Sequence, residues 1–365
     1  MTDLLQRALA RVRDDVQGMH AYAIQDATGL IKLDAMENPY PLPEALQRAL
    51  GERLGRVPVN RYPGPRVEDL KRALAAYVDL PPGAALMLGN GSDELIALLA
   101  LACDRPGAAI LAPVPGFVMY AMSAQLQGLA FHGVPLTADF ALDEAAMRDA
   151  IARVRPAITY LAYPNNPTAN RWDPAVMRRL IAAVGDVGGL VVVDEAYQPF
   201  ASHTWLDEWR ADPAAHAHVL VMRTLSKFGL AGARLGYLIG AAPLVAELDK
   251  VRPPYNVSAL NAECALFALE HADVFAEQAA AIRAERARLM AALAALPGVQ
   301  VYPSEANMIL VRVPDATRAF AGLRARGVLV KNVSTMHPLL ANCLRLTVGT
   351  PAENDALLAA LPPSL

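Results

Sequence analysis

The segment with the clearest chemical character combines a lysine, a serine and an arginine around a glycine-rich turn, within residues 224–236. An apolar run precedes it and predicts a strand, and open α/β sheets bind ligands beyond the carboxyl ends of their strands. Ser226 and Arg234 could both contact one phosphate while the Lys227 amine reaches an aldehyde on the same ligand. The ordinary alternative is a surface lysine before a flexible loop, and the segments described next argue against it.

A second segment, residues 191–197, delivers two acids and a tyrosine at the end of another apolar run. A carboxylate at a buried strand end needs a positive partner, because an isolated buried charge is costly. A protonated pyridine nitrogen is such a partner, and Asp194 would keep it protonated so that the ring can accept electrons. Tyr197 could donate to a phenolic oxygen of the ring. An acid at a helix N-terminus would explain one carboxylate but not the tyrosine.

Three loops add weaker signals. Asn166, between two prolines in residues 163–168, could donate to the same phenolic oxygen, although Asn-Pro is also common in ordinary turns. Residues 89–93 open a predicted helix, whose free N–H groups would suit a phosphate; otherwise they form only an N-cap. Phe117 could stack on an aromatic ring or be a core residue. The candidate phosphate seat consists of Gly91, Ser92 and Asp93.

The elements that must position these residues alternate between short apolar runs and helices, which predicts an α/β architecture with a mostly parallel sheet. After residue 251 a long helix, roughly 272–296, leads to a C-terminal α+β part. We predict a large domain of residues 56–250 and a discontinuous small domain of residues 1–55 and 251–365. The predicted strands are Leu86–Leu88, Ala108–Ala112, Ile158–Ala162, Leu190–Val193, Val219–Met222 and Ala233–Gly240, with Ile31–Asp34, Met308–Val313, Val328–Lys331 and Cys343–Val348 in the small domain.

Composition excludes several classes of protein. The 365 residues are 54% hydrophobic and 19% charged, with a net charge of −3, which argues against nucleic-acid or anionic-membrane partners. Three separated cysteines form no disulfide framework, and the N-terminus lacks the pattern of a secretory signal, so we predict a cytoplasmic location. His216 and His218 lack an acidic signature at zinc spacing; we predict surface histidines and no metal site.

Together these motifs resemble the aspartate-aminotransferase-like family of pyridoxal-phosphate enzymes, of fold-type I, and most closely the histidinol-phosphate aminotransferases. The resemblance covers essentially the whole chain in order, from residues 34–40 and 61–64 to residues 342–350. It implies a large domain built on a mostly parallel seven-stranded sheet, a smaller α+β domain, and pyridoxal 5′-phosphate as cofactor.

The resemblance also implies roles for individual residues. Lys227 would carry the cofactor as a Schiff base, with Asp194 at the pyridine nitrogen. The other residues at the cofactor would be Asn166 and Tyr197 at the ring oxygen, Phe117 on the ring face, and Gly91, Ser92, Asp93, Ser226 and Arg234 around the phosphate. Tyr62 would reach the cofactor phosphate of a neighbouring subunit, which implies a homodimer with shared sites.

For the substrate, the resemblance implies Arg345 and Lys331 at the substrate phosphate, with Tyr22, Asn38 and Asn307 as further contacts. Two positions depart from the family pattern. Ala169 stands where glycine is common, and Lys331 stands where arginine is common. Lysine still pairs with phosphate, but as a point charge without bidentate geometry.

The reaction implied by the resemblance interconverts L-histidinol phosphate and 2-oxoglutarate with imidazole-acetol phosphate and L-glutamate. Alternatives on the same fold are an aromatic-amino-acid aminotransferase and a phosphothreonine decarboxylase. A cofactor-binding sensor that lacks catalysis is an alternative from another class. Such a sensor would need an additional helix-turn-helix segment, and none fits ahead of residue 34.

Overall fold

The computed structural model of the chain describes residues 3–19 and 25–365. Tyr22 therefore lies outside the described residues. The strands are β1 (Ile31–Lys32), β2 (Ala84–Gly89), β3 (Ala109–Val114), β4 (Ala130–Pro135), β5 (Ile158–Ala162), β6 (Leu190–Asp194), β7 (Val219–Thr224), β8 (Gly236–Ala241), β9 (Gln300–Val301), β10 (Met308–Arg312), β11 (Val328–Leu329), β12 (Lys331–Asn332) and β13 (Cys343–Thr347).

Helices separate most of these strands. The helices are α1 (Asp3–Leu9), α2 (Asp14–Gln17), α3 (Glu44–Gly55), α4 (Arg66–Tyr77), α5 (Ser92–Ala102), α6 (Met119–Gln127), α7 (Glu144–Val154), α8 (Pro174–Asp186), α9 (Trp205–Ala211), α10 (Ala242–Leu248), α11 (Ala259–Glu270), α12 (Ala272–Ala294), α13 (Ala316–Ala325) and α14 (Pro351–Ala360). A π-helical turn spans Ser226–Leu230. None of the helices in the described part of the chain is both long and apolar enough to cross a membrane.

The larger sheet has seven strands in the order β2-β8-β7-β6-β5-β3-β4. Its pairings are parallel except at β8, which runs antiparallel to β2 and β7. This confirms the predicted α/β fold with a mostly parallel sheet. The sequence pattern did not reveal β4, because this edge strand is largely exposed and contains a glycine and a terminal proline, both uncommon in strands.

Successive residues of the central strands pack on opposite faces of this sheet. Val191 and Val193 belong to one hydrophobic core and Val192 to another, and the same alternation recurs at Val219 and Leu220. Both faces are therefore covered, which is why these strands appear in the sequence as uninterrupted apolar runs. Because both faces are buried, a ligand site on this sheet is expected among the loops at its carboxyl edge rather than on a face.

The C-terminal part contains an antiparallel sheet in the order β12-β13-β10-β9. The predicted strand 328–331 is divided between two sheets, because β11 pairs in parallel with the N-terminal β1 while β12 pairs with β13. The predicted helix 272–296 is present as α12. On these pairings we propose that the domain division given above, with residues 1–55 joining residues 251–365, describes the molecule.

The two histidines considered as metal ligands contact different parts of the backbone. His216 is buried, so its predicted surface position is wrong; its Nδ1 lies 2.8 Å from the Asp212 carbonyl oxygen and its ring packs near Trp205. His218 Nε2 lies 3.0 Å from the Ile181 carbonyl oxygen. Each ring therefore has its own backbone partner. Within the described ranges, no group of three or more His, Cys, Asp or Glu side chains is arranged to hold a metal ion.

Candidate active site

A cleft of about 590 Å³ opens at the carboxyl ends of the parallel strands. The loops that follow β3, β5, β6 and β7 each contribute to it, since neighbouring parallel strands end at the same edge of the sheet. Nine residues singled out from the sequence line this cleft: Ser92, Asp93, Phe117, Asn166, Asp194, Tyr197, Ser226, Lys227 and Arg234. Met36, Tyr120, Ala162, Pro164, Ala196 and Thr224 complete the lining.

Asp194 is the last residue of β6 and forms the floor of the cleft. It is 5% exposed, and its two carboxylate oxygens have different donors. The Tyr120 hydroxyl donates to Oδ2 at 2.6 Å, and the Ala196 N–H donates to Oδ1 at 3.0 Å. Burial raises the pKa of Asp194 to about 6, although both hydrogen bonds act in the opposite direction. No side-chain cation in the described chain neutralises this carboxylate by an ion pair, so it is suited to a cation on a ligand.

Lys227 presents its amine to the same cleft from the π-helical turn after β7. Its Nζ donates to the Ala35 carbonyl oxygen at 2.9 Å. Burial, and then the positive charge of Arg345, lowers the pKa of Lys227 to about 8. The turn depends on Gly229, whose φ of 146° is rare for other residues and whose added Cβ would lie 2.7 Å from the Phe275 ring. The lowered pKa of Lys227 increases the share of its amine that is uncharged, and therefore nucleophilic, near neutral pH.

One end of the cleft has the properties of an anion seat. Helix α5 begins there, with Gly91 as its N-cap at φ 87° and Ser92 as its first residue. A side chain at residue 91 would be strained at this φ, and its Cβ would lie 2.8 Å from Arg234 Nη2, so glycine leaves the guanidinium undisturbed. Arg234 Nη1 lies 3.4 Å from Ser226 Oγ and Nη2 lies 3.5 Å from Asp93 Oδ2. Helix N–H groups, a hydroxyl and a guanidinium thus converge, as anion sites require.

Two further polar side chains, Asn166 and Tyr197, line the cleft, and a buried arginine contacts one of them. Arg345, on β13, donates to Asn166 Oδ1 and to the Asp34 carbonyl oxygen, each at 2.8 Å. Tyr197 is 4% exposed, and burial raises the pKa of its phenol. The contact of Arg345 with Asn166 therefore links the C-terminal sheet to the lining of the cleft. Asn166 and Tyr197 lie close enough to line one cavity with Lys227.

The remaining sequence candidates lie outside the lining. Lys331 is directly opposite Arg345 in the β12–β13 pair, so the two side chains share one face of the sheet. Asn38 donates to Gln278 Oε1 at 2.8 Å. Asn307 is fully buried and donates to the Met36 carbonyl oxygen at 2.9 Å. That burial argues against the expected direct substrate contact; Asn307 instead anchors Met36, which lines the cleft.

Tyr62 lies away from this cleft, on the surface. It is 76% exposed and stacks on Tyr255 with ring centroids 4.3 Å apart. A separate groove beside it is lined by the charged side chains of Arg53, Arg66 and Glu263. Tyr62 is therefore not among the residues that line the cleft of this chain.

Sequence reasoning missed Tyr120, which makes the shortest hydrogen bond to Asp194. Tyr120 lies in α6, three residues after Phe117, and neither a motif nor a turn marks it. Only the position of α6 against the end of β6 brings its hydroxyl to the carboxylate. No signal in a single sequence could have distinguished it from a core tyrosine.

The chain is similar to known aminotransferases over most of its length. The family model "Aminotransferase class I and II" matches residues 28–361. A histidinol-phosphate aminotransferase from Acidovorax ebreus is 70% identical over 359 residues, 98% of each chain. Histidinol-phosphate aminotransferase 1 from Ralstonia nicotianae is 58% identical, covering 100% of this chain and 96% of that one.

Among solved structures, the histidinol-phosphate aminotransferase from Sinorhizobium meliloti in complex with pyridoxal-5′-phosphate superposes with a TM-score of 0.82. It is 24% identical and covers 97% of both chains, so it supports the fold alone. The matches to the family model and to the two sequence relatives extend over nearly the whole chain. The chain therefore belongs to the class I and II aminotransferases and, within them, to the histidinol-phosphate aminotransferase family.

Proposed function

We propose that this aminotransferase uses pyridoxal 5′-phosphate to interconvert L-histidinol phosphate and 2-oxoglutarate with imidazole-acetol phosphate and L-glutamate, in histidine biosynthesis. The observation that carries the proposal is the pairing, in one cleft, of a buried amine and a buried carboxylate. The pKa of the Lys227 amine is lowered to about 8, and Asp194 lacks a cationic partner of its own within the described chain. The proposed substrate is inferred from the names of the relatives, and the proposed chemistry from the residues of the cleft.

The residues present fit the cofactor. Its phosphate would sit between the N-terminus of α5, Ser226 and Arg234. A side chain in place of Gly91 would meet Arg234 at this position. Asp194 would face the ring nitrogen, Asn166 and Tyr197 would donate to the ring oxygen, and Phe117 would cover one face. Bound in this way, the cofactor supplies a protonated ring that accepts electrons from the substrate's α-carbon.

The chain's own residues would then perform the proton transfers. Lys227 would hold the cofactor through its Nζ, at the carbon where the cofactor would supply an electrophile for the substrate amine. Because burial lowers the pKa of Lys227 to about 8, its Nζ would be uncharged in part of the molecules near neutral pH and could accept the proton from the substrate's α-carbon. Asp194 remains ionised beside the ring nitrogen, while the buried walls limit access of water to the reacting atoms.

The substrate's phosphate would bind on the face of the C-terminal sheet that carries Arg345 and Lys331. These residues are cross-strand neighbours, so two cations could reach one dianion. Arg345 also contacts Asn166, which couples the substrate-binding wall to the ring-oxygen side of the cleft. Asn38 and, outside the described residues, Tyr22 remain proposed contacts for the rest of the substrate.

We further propose a homodimer in which Tyr62 completes the cofactor-phosphate site of the other subunit, with the cytoplasm as the working compartment. The exposure of Tyr62 and its stacking on Tyr255 support a role across an interface, because a large exposed aromatic is a frequent anchor of contacts between chains. Mixing an inactive Lys227→Ala chain with an inactive Tyr62→Ala chain should restore activity in dimers that contain one intact site. Absence of any restored activity in a verified mixed dimer argues against shared sites.

A substrate panel tests the central proposal. With 2-oxoglutarate as acceptor, kcat/KM should be highest for L-histidinol phosphate and at least about 100-fold lower for L-histidinol, which lacks the phosphate, because two charge-assisted contacts are lost. Phenylalanine tests the aromatic alternative, and carbon dioxide release from phosphothreonine tests the decarboxylase alternative. A higher kcat/KM for either of these two would replace the proposed substrate.

A further inference from the structure

The tyrosine at the floor of the cleft has no role in the function proposed above. Tyr120 is 2% exposed, and its hydroxyl donates to Asp194 Oδ2 at 2.6 Å. The other carboxylate oxygen accepts from the Ala196 N–H. Two donors, one on helix α6 and one in the loop after β6, thus fix the orientation of the Asp194 carboxylate group. The lone pairs that remain on the oxygens are available to a ligand in the cleft.

The ring of Tyr120 is itself held on two sides. It stacks parallel to Tyr160, with centroids 4.2 Å apart and an interplanar angle of 7°. Phe117 packs edge-on against it at 5.6 Å and 85°. Tyr160 belongs to β5, so the position of the Tyr120 hydroxyl is determined by the central sheet. A donor held in this way loses little additional entropy when it hydrogen-bonds, which makes the contact effective.

The surroundings of Asp194 favour its protonated form, and the Tyr120 hydroxyl opposes this effect. Burial and the negative charges of Asp93, on α5, and of the adjacent Glu195 raise the pKa of Asp194. Tyr160 and Tyr197 face the same region and are neutral at ordinary pH, because burial raises the pKa of each phenol. Only the Tyr120 hydroxyl and the Ala196 N–H favour the ionised carboxylate among the described neighbours that affect it.

We propose that Tyr120 is a positioning residue: its hydroxyl orients the Asp194 carboxylate and keeps it ionised, so that Asp194 can pair with a protonated ring nitrogen. Tyr120 need not touch the cofactor or the substrate. The proposal rests on the proposed cofactor site. It predicts that the loss of one hydroxyl impairs cofactor binding mainly at low pH, where the carboxylate would otherwise become protonated.

The experiment measures the dissociation constant of pyridoxal 5′-phosphate from the full-length chain between pH 5.5 and 8.5. Wild type is compared with Tyr120→Phe and with Tyr160→Phe. Tyr160 is a matched control, because it is buried in the same aromatic stack and its hydroxyl makes no hydrogen bond with any described residue. The ratio of variant to wild-type constants at each pH cancels the titration of Lys227 and of the ligand phosphate.

We expect the Tyr120→Phe ratio to be about tenfold at pH 5.5 and below about threefold at pH 8.5, as a pKa shift of about one unit requires. Tyr160→Phe should stay within about twofold throughout. A Tyr120→Phe ratio that is the same at every pH, or equal to that of Tyr160→Phe, overturns the proposal, since lost packing does not titrate. If wild type itself fails to bind the cofactor, the proposed function fails first.

Two further measurements guard against a misfolded variant. Incorporation of 3,5-difluorotyrosine at position 120 keeps the ring and the hydroxyl but makes the phenol a stronger donor. It should shift the pH dependence of cofactor binding downward, opposite to Tyr120→Phe, and a shift upward or no shift contradicts the proposal. In an Asp194→Asn background, removal of the Tyr120 hydroxyl should weaken binding less than about twofold, whereas a purely structural effect would persist in full.

Discussion

The two acids at the end of β6 are adjacent in sequence but lie in opposite environments. Asp194 faces the cleft, where its partners are the neutral donors Tyr120 and Ala196. Glu195 is 1% exposed on the other side of the strand end, where Arg223 Nε donates to it at 2.9 Å and Thr204 Oγ1 also contacts it. We call these the cleft side and the packing side.

The same division recurs at the end of β7. Arg223 points to the packing side, where its Nη2 donates to Thr204 Oγ1 at 2.7 Å, whereas Thr224 lines the cleft. The alternation of side chains along a strand produces this division. A charge neutralised by a protein partner stabilises the fold, while a charge left without one is available to a ligand. Substitutions on the two sides should therefore have separable effects on activity and on stability.

The largest effect is expected at Lys227 on the cleft side. Lys227→Ala should lower kcat on the order of 10⁴-fold or more, because the nucleophile and the proton carrier are lost together. It should also abolish the visible absorbance of the bound cofactor, measured by steady-state assay and spectrophotometry. Lys250→Ala, which removes an exposed lysine paired with Glu247, is the control. Retention of both signals in Lys227→Ala would remove the assignment of the catalytic lysine.

The two adjacent acids provide a direct test of the division. Asp194→Asn should reduce kcat by about 10²–10⁴-fold, because the neutral amide cannot hold the ring nitrogen protonated. Glu195→Gln should instead lower the free energy of unfolding by about 3–5 kcal/mol, because the charge of Arg223 stays buried without its counter-ion. Steady-state kinetics and urea unfolding of both variants measure this crossover. Equal losses of activity, or of stability, in the two variants would show that the sides are not distinct.

The pH dependence of stability sharpens the contrast for Asp194. Its folded-state pKa is raised to about 6 from the ordinary 3.8, so the folded state binds this proton more tightly than the unfolded state. The resulting stabilisation is complete below pH 3.8 and is lost as pH rises through 6. For cofactor-free protein, this is a decline on the order of 2–3 kcal/mol for a fully buried group.

Asp194→Asn should remove that decline, because the amide does not titrate. The variant should therefore be more stable than wild type above pH 6 in the absence of cofactor, while the two converge toward pH 4. Thermal unfolding of both proteins across pH 4–8 measures the difference. A constant difference between them over this range would mean that Asp194 does not titrate in it. Added cofactor should reduce the decline in wild type only, since its ring nitrogen provides the missing cation.

Much of the fold could be predicted from the sequence because buried parallel strands appear in it as continuous apolar runs. β5, β6 and β7 were located within two residues at each end. β4 was missed because an exposed edge strand lacks that pattern, and 328–331 was predicted as one strand because its division depends on two distant partners, β1 and β13. Partners remote in sequence leave no local signal.

The candidate site shows the same limit. Lys227, Asp194, Asn166 and Arg234 follow strands or glycine-rich turns, and such positions are recognisable in the sequence. Tyr120 was not recognisable, because its role arises from the approach of α6 to β6. The motif also offered two acids without distinguishing them. The alternation of side chains along a strand implies that the two acids point to opposite sides. That Glu195 stabilises the fold follows only from its contacts with Arg223 and Thr204, which belong to other elements.

The smallest effect is expected at Lys331, which lies outside the cleft lining and directly opposite Arg345 in the C-terminal sheet. Lys331→Arg should lower KM for L-histidinol phosphate about three- to tenfold and change kcat less than about twofold, because a planar guanidinium can contact phosphate in bidentate fashion. The side chain of Lys331 makes no hydrogen bond or ion pair with other described residues, so little in the fold opposes the exchange. L-Histidinol, which lacks the phosphate, is the matched substrate control and its KM should be unchanged. An equal fall in KM for both substrates would mean that residue 331 contacts a part of the substrate other than the phosphate. A loss of stability in Lys331→Arg would mean that Lys331, like Glu195, mainly stabilises the fold.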